Sequence, residues 1–333
     1  MFSSPKLLKS FGFFYLLKLK TTTTTTGIFP KISSDQETAS LRANLHKFDR
    51  EEISETELES IIQANIRRAV SEQIKTGIEI PTDGLIRWTD LFSPFMQAWD
   101  GITRRGIHRF YNTNTLYGEP VIEGELSYSP SKTLADFQFA KTIDENTKAV
   151  LPGVFTFANA CVDNFYQDTQ KLRAAIAENL LAEAKALVEA GAKMIEIHEL
   201  ELAWGNYDSA EVTEIYKKFG ELETKVVVIP YFQNFSQEIA NTLAETNCGV
   251  GIDFSQPSEI SKLPENTILQ AGVVNSRETK LESVEDLQKL KTEVFEKFPN
   301  VSEIIFSTSS HVEYLPHAIA IQKIELLRNF KNI

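Results

Sequence analysis

The sequence lacks several features that define common classes of protein. It has 2 cysteines among 333 residues, Cys161 and Cys248, and they form neither a disulfide framework nor a Cys-x-x-Cys metal motif. It contains no Gly-x-Gly-x-x-Gly and no Walker-type phosphate loop. A positive charge excess is also missing, since 34 Lys and Arg face 46 Asp and Glu for a net charge of −12. These absences favour a cytoplasmic protein that does not bind nucleic acid.

Long apolar runs are missing as well. The run "FGFFYLL" near the N-terminus is too short to cross a bilayer, so we expect no membrane association. Residues 1–20 nevertheless differ from the rest, with four lysines and no acidic residue. We interpret them as an extension that docks its aromatic side chains on the surface, with an organelle-targeting peptide as the alternative. The folded domain is predicted to cover residues 21–333.

From residue 21 onward, short apolar runs alternate with helical patterns. Capping signals mark helices from Ser54 and from Asp168, each of which ends near a glycine. The alternation predicts a (β/α)8 TIM barrel of the α/β class, and a doubly wound sheet is the alternative. The eight predicted strands cover residues 21–29, 77–83, 149–155, 192–199, 225–232, 248–254, 267–273 and 302–308.

One segment interrupts this alternation of strands and helices. Residues 101–132, after the second helix, are predicted to form an inserted β-hairpin or long loop. A basic cluster lies in this segment of an otherwise acidic chain, which indicates an anionic ligand. A solvated hairpin balanced by nearby glutamates is the alternative. The cluster comprises Arg104, Arg105, His108 and Arg109, and Asn112 and Asn114 follow it as candidate binding residues.

The predicted active-site face of such a barrel lies at the carboxyl ends of its strands. No nucleophile with an adjacent base is evident there, but His198 and Glu199 are candidates for acid–base catalysis. His198, Asp83 and Asp253 could converge on a metal, but a hydrogen-bonded histidine without a metal is the preferred interpretation of His198. The polar residues predicted to bind substrate at these ends are Asp83, Tyr231, Asp253, Asn275 and Arg277.

Seven segments resemble, in the same order, the cobalamin-independent methionine synthase family. They are "TTTGIFPKIS", "IRRAVSEQIKTGIEIPTDGLIRWTD", "RFYNTNTLY", "LPGVFTFAN", "AGAKMIEIHELEL", "VVVIPYFQN" and "LQAGVVNSRETKLES". The resemblance covers about residues 21–333. It implies two related barrels, of which the C-terminal one carries zinc and binds homocysteine, while the N-terminal one lacks zinc.

The resemblance is stronger to the zinc-free barrel. The positions that match the zinc ligands carry Ile229, Tyr231, Asp253 and, approximately, Ser309. The positions that match homocysteine contacts carry Ile28, Leu85 and His198. By contrast, "IPYF", "QAGVVNSRE" and "YNTNT" resemble segments of the N-terminal barrel. The resemblance therefore implies a chain without a metal or other cofactor of its own.

The resemblance also implies a partner and a ligand. Arg42 and Arg109 match basic positions that hold the polyglutamate tail of 5-methyltetrahydrofolate, although Ala39 replaces a further arginine. We expect a subunit of a split methyltransferase that makes methionine from homocysteine with a zinc-bearing barrel as its partner. The methyl donor, folate or a corrinoid, stays open. The alternatives are a non-catalytic scaffold or sensor, and an enzyme whose altered barrel rim acts on another small acid.

Overall fold

The structure is a computed structural model that describes residues 19–32, 40–111, 113–205 and 207–332. Asn112 and nearly all of the predicted extension, residues 1–18, lie outside the described residues. No helix of the described part is long and apolar enough to cross a membrane.

Seven parallel strands form the central sheet. Each is hydrogen-bonded to the next in the order β1 (Lys20–Thr23), β10 (Glu303–Thr308), β9 (Ile268–Val274), β8 (Gly249–Asp253), β7 (Lys225–Ile229), β6 (Met194–His198) and β4 (Ala149–Pro152). Isolated bridges from Thr24 to Ile80 and from Thr82 to Lys148 join the two outer strands through the second strand position. The predicted (β/α)8 barrel is therefore confirmed.

The segment 77–83 differs from the prediction because it forms bridges and not a strand. At the end of this segment, the side-chain amide of Gln73, a buried helix residue, pairs with the backbone of Thr82. Gln73 Oε1 accepts from the Thr82 amide at 3.0 Å, and Gln73 Nε2 donates to the Thr82 carbonyl at 2.9 Å. Gln73 Oε1 also accepts a hydrogen bond from the Thr25 hydroxyl at 2.8 Å, which links Thr82 through Gln73 to the chain just after β1.

Helices surround the sheet and begin at the predicted capping residues. Ser54 and Glu57 form a capping box, and the Asp168 carboxylate accepts from two amides of the helix that follows it. The helices are α1 (Leu41–Asp49), α2 (Glu55–Lys75), α3 (Ser93–Met96), α4 (Lys132–Lys141), α5 (Val154–Ala160), α6 (Thr169–Glu189), α7 (Glu201–Trp204), α8 (Ser209–Gly220), α9 (Gln237–Glu245), α10 (Val284–Lys297) and α11 (His317–Asn332).

The inserted segment forms a separate small sheet. Strand β2 (Asp100–Arg109) pairs antiparallel with β3 (Leu116–Ser127), which also pairs with the short β5 (Val162–Asp163). The tip of this hairpin lies over the carboxyl ends of the barrel strands, where Tyr111 donates a 3.1 Å hydrogen bond to Glu201. The hairpin therefore contributes side chains to the face on which barrels of this type carry their sites.

Candidate functional site

A buried network of charged side chains fills the barrel interior below its carboxyl-end face. Lys148 forms an ion pair with Glu196, and both side chains are fully buried. His198 Nε2 lies 2.8 Å from Glu196 Oε1, and Gln270 donates to Glu196 Oε2 at 2.7 Å. Burial disfavours the ionised carboxyl, but Lys148 and His198 outweigh it and hold the pKa of Glu196 at about 2. The barrel interior therefore contains an ionised Glu196 carboxylate, whose charge is balanced mainly by Lys148.

A second layer of rings lies above this network. His311 Nε2 is 3.0 Å from the Tyr231 hydroxyl, and the His311 ring stacks on Tyr314 at 5.5 Å between centroids. The His198 and His311 rings are also 5.5 Å apart. Burial, together with His198, lowers the pKa of His311 well below its ordinary value, so His311 is neutral at pH 7. His311 was not among the predicted site residues, although its position three residues beyond a strand end was a readable signal.

Glu199 does not share the environment of His198. Glu199 follows the last residue of β6, and its side chain contacts α5 and Tyr216 of α8 and not the Glu196–His198 pair. Its carboxylate accepts from the amides of Phe155 and Thr156 at 2.9 and 2.7 Å, and from the hydroxyls of Thr156 and Tyr216. Burial raises the pKa of Glu199 to about 7. The structure thus gives Glu199 an anchoring role at the start of α5 and separates the proposed acid–base pair.

The positions that resemble zinc ligands lie close together but do not fit a zinc ion. Ile229, Asp253 and Ser309 line one gap of about 10 Å³, and Ile229 supplies only carbon atoms to it. Tyr231 instead engages His311, and burial raises its pKa well above the ordinary value, so it is a phenol and not a phenolate. Among the described residues, no group of three or more His, Cys, Asp or Glu is arranged to hold a metal.

Asp253 and Asp83 are buried carboxyl groups at strand ends. Asp253 Oδ1 accepts from the amide and hydroxyl of Ser255 at 2.8 and 2.6 Å, whereas Oδ2 has no partner among the described residues. Burial raises the pKa of Asp253 to about 6. Asp83 accepts from the Leu85 amide at 2.9 Å, and burial, followed by repulsion from Asp136, raises its pKa to about 7. Both carboxyl groups therefore support the turns that follow them.

The basic cluster of the hairpin divides into two parts. Arg105 and His108 each approach Glu119 at 3.0 Å on the exposed sheet, as the solvated-hairpin alternative describes. Arg109 instead lines a cleft of about 200 Å³ between the hairpin and α5. The cleft has aromatic walls and also contains the amide of Asn159. Its aromatic lining residues are Phe92, Phe110, Tyr111 and Tyr117.

The remaining predicted site residues are spread over the same face and beyond it. Arg42 is exposed on α1, and Asn114 is exposed at the hairpin tip. Asn275 accepts from the Arg277 amide at 2.9 Å, and the Arg277 guanidinium lies 4.9 Å from the centre of the Phe232 ring. The predicted binding residues therefore form several separate groups and not one site.

Comparisons with known proteins identify the family. The model of the cobalamin-independent synthase N-terminal domain matches residues 101–297, more than half of the chain. A methionine synthase of Saccharolobus solfataricus is 26% identical over 84% of this chain and 86% of its own length. A methionine synthase of Sulfolobus acidocaldarius is 23% identical over 91% of this chain and 88% of its own length.

Solved structures agree with the fold. A B12-independent methionine synthase from Shewanella, in complex with selenomethionine, superposes with a TM-score of 0.76 at 17% identity, covering 93% of this chain and 96% of that one. A putative vitamin-B12-independent methionine synthase from Listeria monocytogenes superposes with a TM-score of 0.73 at 16% identity, covering 92% and 96%. The resemblance seen in the sequence is confirmed, and the chain belongs to the cobalamin-independent synthase family, whose N-terminal domain it matches.

Proposed function

We propose that this chain is the zinc-free subunit of a split, cytoplasmic methionine synthase, and that it works with a zinc-bearing barrel of the same family. One observation carries the proposal. The strand ends that match zinc ligands bring together Ile229, Asp253 and Ser309, and this set lacks the thiolate and imidazole donors of a zinc site. Methylation of homocysteine requires its thiolate, and zinc supplies this by lowering the thiol pKa. That chemistry belongs to the partner.

This subunit contributes binding of the methyl donor. Arg109 borders the aromatic cleft beside the hairpin, where a planar guanidinium matches a carboxylate and aromatic walls match a flat ring system. Arg42, exposed on α1, is a second cation for an extended anionic tail. Methyltetrahydrofolate with a polyglutamate tail has both chemical features, and we favour it over a corrinoid for this reason.

The comparisons support this role in two ways. The matching family model is that of the N-terminal domain, the domain that the resemblance associates with the zinc-free barrel. This chain matches 86% and 88% of the lengths of the two archaeal relatives named methionine synthase. Chains of one-barrel length therefore bear that name.

A reconstitution experiment tests the proposal. The purified full chain is assayed for methionine formation from homocysteine and methyltetrahydrofolate, alone and with a purified family barrel that carries the His-x-Cys motif. We expect no turnover by the chain alone, turnover with both subunits, and zinc by elemental analysis only in the partner. Methionine formation by this chain alone at an enzymatic rate, or stoichiometric zinc in it, would contradict the split-subunit role.

A further inference from the structure

The small gap beside Asp253 is rich in oxygen ligands. Its volume of about 10 Å³ is close to the ~10–15 Å³ that one water-sized particle needs. Gly251 and Gly272 line it without side chains, which leaves space between the polar groups around it. The other residues that bring a polar side chain to the gap are Thr26, Gln270, Ser307, Thr308 and Ser309. The gap therefore offers carboxylate, amide and hydroxyl oxygens to one small particle.

Two acceptor oxygens of these side chains have no partner. Asp253 and Gln270 are each 2% exposed, and Asp253 Oδ2 and Gln270 Oε1 accept no hydrogen bond within the described part of the chain. The orientation of the Gln270 amide is fixed, because its Nε2 donates to the ionised Glu196 carboxylate at 2.7 Å. Buried acceptors without a partner are unfavourable. A particle that satisfies both oxygens is either a water molecule, which donates twice, or a cation.

Charge decides between these two particles. Burial raises the pKa of Asp253 to about 6, so its carboxyl group is ionised at pH 8. Two other carboxylates of the barrel each have a lysine beside them, since Lys148 pairs with Glu196 and Lys31 lies 3.8 Å from Glu313. Among the described residues, Asp253 is bound only by the amide and the hydroxyl of the turn that follows it. A water molecule would leave its charge uncompensated, whereas a cation balances it.

Arg277 does not supply this cation within the gap. Its positive charge lowers the pKa of Asp253, but less than burial raises it. Arg277 is exposed, its guanidinium lies 4.9 Å from the centre of the Phe232 ring, and it does not line the gap. The gap therefore combines one buried negative charge with several oxygen ligands and no positive side chain.

We propose that this gap binds one potassium ion, held by Asp253 Oδ2, Gln270 Oε1 and the neighbouring hydroxyl oxygens. Oxygen ligands of this kind replace the hydration shell of K⁺ in proteins. K⁺ is close in size to a water molecule, and its distances to oxygen are close to those of hydrogen bonds. One carboxylate balances one positive charge, whereas Ca²⁺ sites use several carboxylates. The inference does not rest on the proposed subunit role, so either can fail alone.

Thermal melts of the full chain test the proposal with three chloride salts at equal ionic strength. At pH 8, the melting temperature should be about 2–4 °C higher in KCl than in choline chloride when K⁺ is at about ten times its dissociation constant. Choline is too large for the gap, and NaCl should give a smaller rise. The rise should vanish at pH 5, where the raised pKa of Asp253 leaves its carboxyl group protonated. Equal melting temperatures in KCl and choline chloride at pH 8, or a rise in NaCl that matches the rise in KCl, would overturn the proposal.

Variants locate the ion in this gap. Asp253→Asn should abolish the rise in KCl, and any stability that this variant gains at pH 8 should be largest in choline chloride. Asp83→Asn is the matched control and should keep the rise, because Asp83 is also a buried carboxyl group at a strand end but does not line the gap. A rise that persists in Asp253→Asn, or that is lost in Asp83→Asn, would refute the assignment.

A direct measurement covers the case in which Asp253→Asn fails to fold by circular dichroism. Crystals of the native chain are grown in a rubidium salt, because Rb⁺ replaces K⁺ at its sites and scatters anomalously. We expect one anomalous peak in contact with Asp253 and Gln270. Diffraction data without a peak at this position would overturn the proposal.

Discussion

Replacing Lys148 by methionine should strongly destabilise the barrel. Lys148 and Glu196 are fully buried and paired, and Lys148 also donates to the Thr25 carbonyl at 2.8 Å. Removing one partner leaves a buried carboxylate without its main counter-charge, which costs about 3–5 kcal/mol. For a urea slope near ~3 kcal/mol/M, the unfolding midpoint at pH 8 should fall by about 1–2 M. Tryptophan fluorescence during urea titration measures it.

The pH dependence separates a charge effect from a packing effect. In the native chain the pKa of Glu196 is lowered to about 2, so its contribution is present above the unfolded pKa and is lost as pH falls. Without Lys148, burial dominates and the pKa of Glu196 rises, so the variant loses stability as pH increases. The deficit of Lys148→Met should therefore be largest at pH 8 and smaller at pH 5.

A double variant and a surface control complete the test. Lys148→Met with Glu196→Gln should recover at least half of the loss, because Gln270 has a side-chain oxygen without a partner among the described residues and can turn it toward the new amide. Lys132→Met breaks the exposed pair with Glu55 and should change nothing measurable. A deficit below about 1 kcal/mol, or one independent of pH, would refute a charge-paired interior.

Three further predictions concern the site. Arg109→Ala should weaken the binding of a polyglutamylated folate about tenfold more than the binding of the monoglutamate, and Arg105→Ala is the exposed control. Equal losses of affinity in calorimetry would mean that Arg109 only supports the hairpin. Because the pKa of Asp253 is raised to about 6 in the folded chain, the contribution of this carboxyl group to the free energy of unfolding is lost as pH rises from about 4 through 6. Asp253→Asn should therefore be more stable than the native chain at pH 8, by at most about 3 kcal/mol, and equal near pH 4; thermal melts that show no such crossover would contradict this. Gly27→Ala should destabilise the chain by about 1–3 kcal/mol, because φ of Gly27 is +65° and an added Cβ would lie 2.6 Å from the His311 ring. An unchanged melting temperature would exclude that clash.

The fold was largely readable from the sequence because its signals are local. Buried parallel strands need continuous apolar runs, and helices need capping residues. Each of these signals lies within, or next to, the few residues that form the element. Most predicted strands extend one to three residues too far at one end or the other, and the strand predicted at 21–29 ends six residues early, at Thr23. In the strand predicted at 149–155, α5 already begins at Val154, where Glu199 binds the first amides of this helix. That contact spans 44 positions and leaves no local trace. The pairing of the Gln73 side chain with the Thr82 backbone is missed for the same reason.

The candidate site was less readable because burial and pairing depend on distant residues. Strand alternation alone separates His198 from Glu199, and this signal was available. Lys148 and Glu196 were also visible as charges next to or within apolar strands. The Lys31–Glu313 pair was not, since its members meet only when the first and last strands of the barrel become neighbours. Positions at strand ends were therefore predictable, whereas their partners were not.

The hairpin tip explains why one short segment serves two cavities. Phe110 is buried and lines both the cleft that contains Arg109 and the cavity that contains Glu313. Its ring lies 5.0 Å from the Tyr111 ring and 6.4 Å from the Phe92 ring, contacts that hold it as a fixed wall. A fixed wall keeps a ligand on one side from contacting residues on the other. Phe110 therefore separates the cleft from the cavity, and Arg109 borders only the cleft.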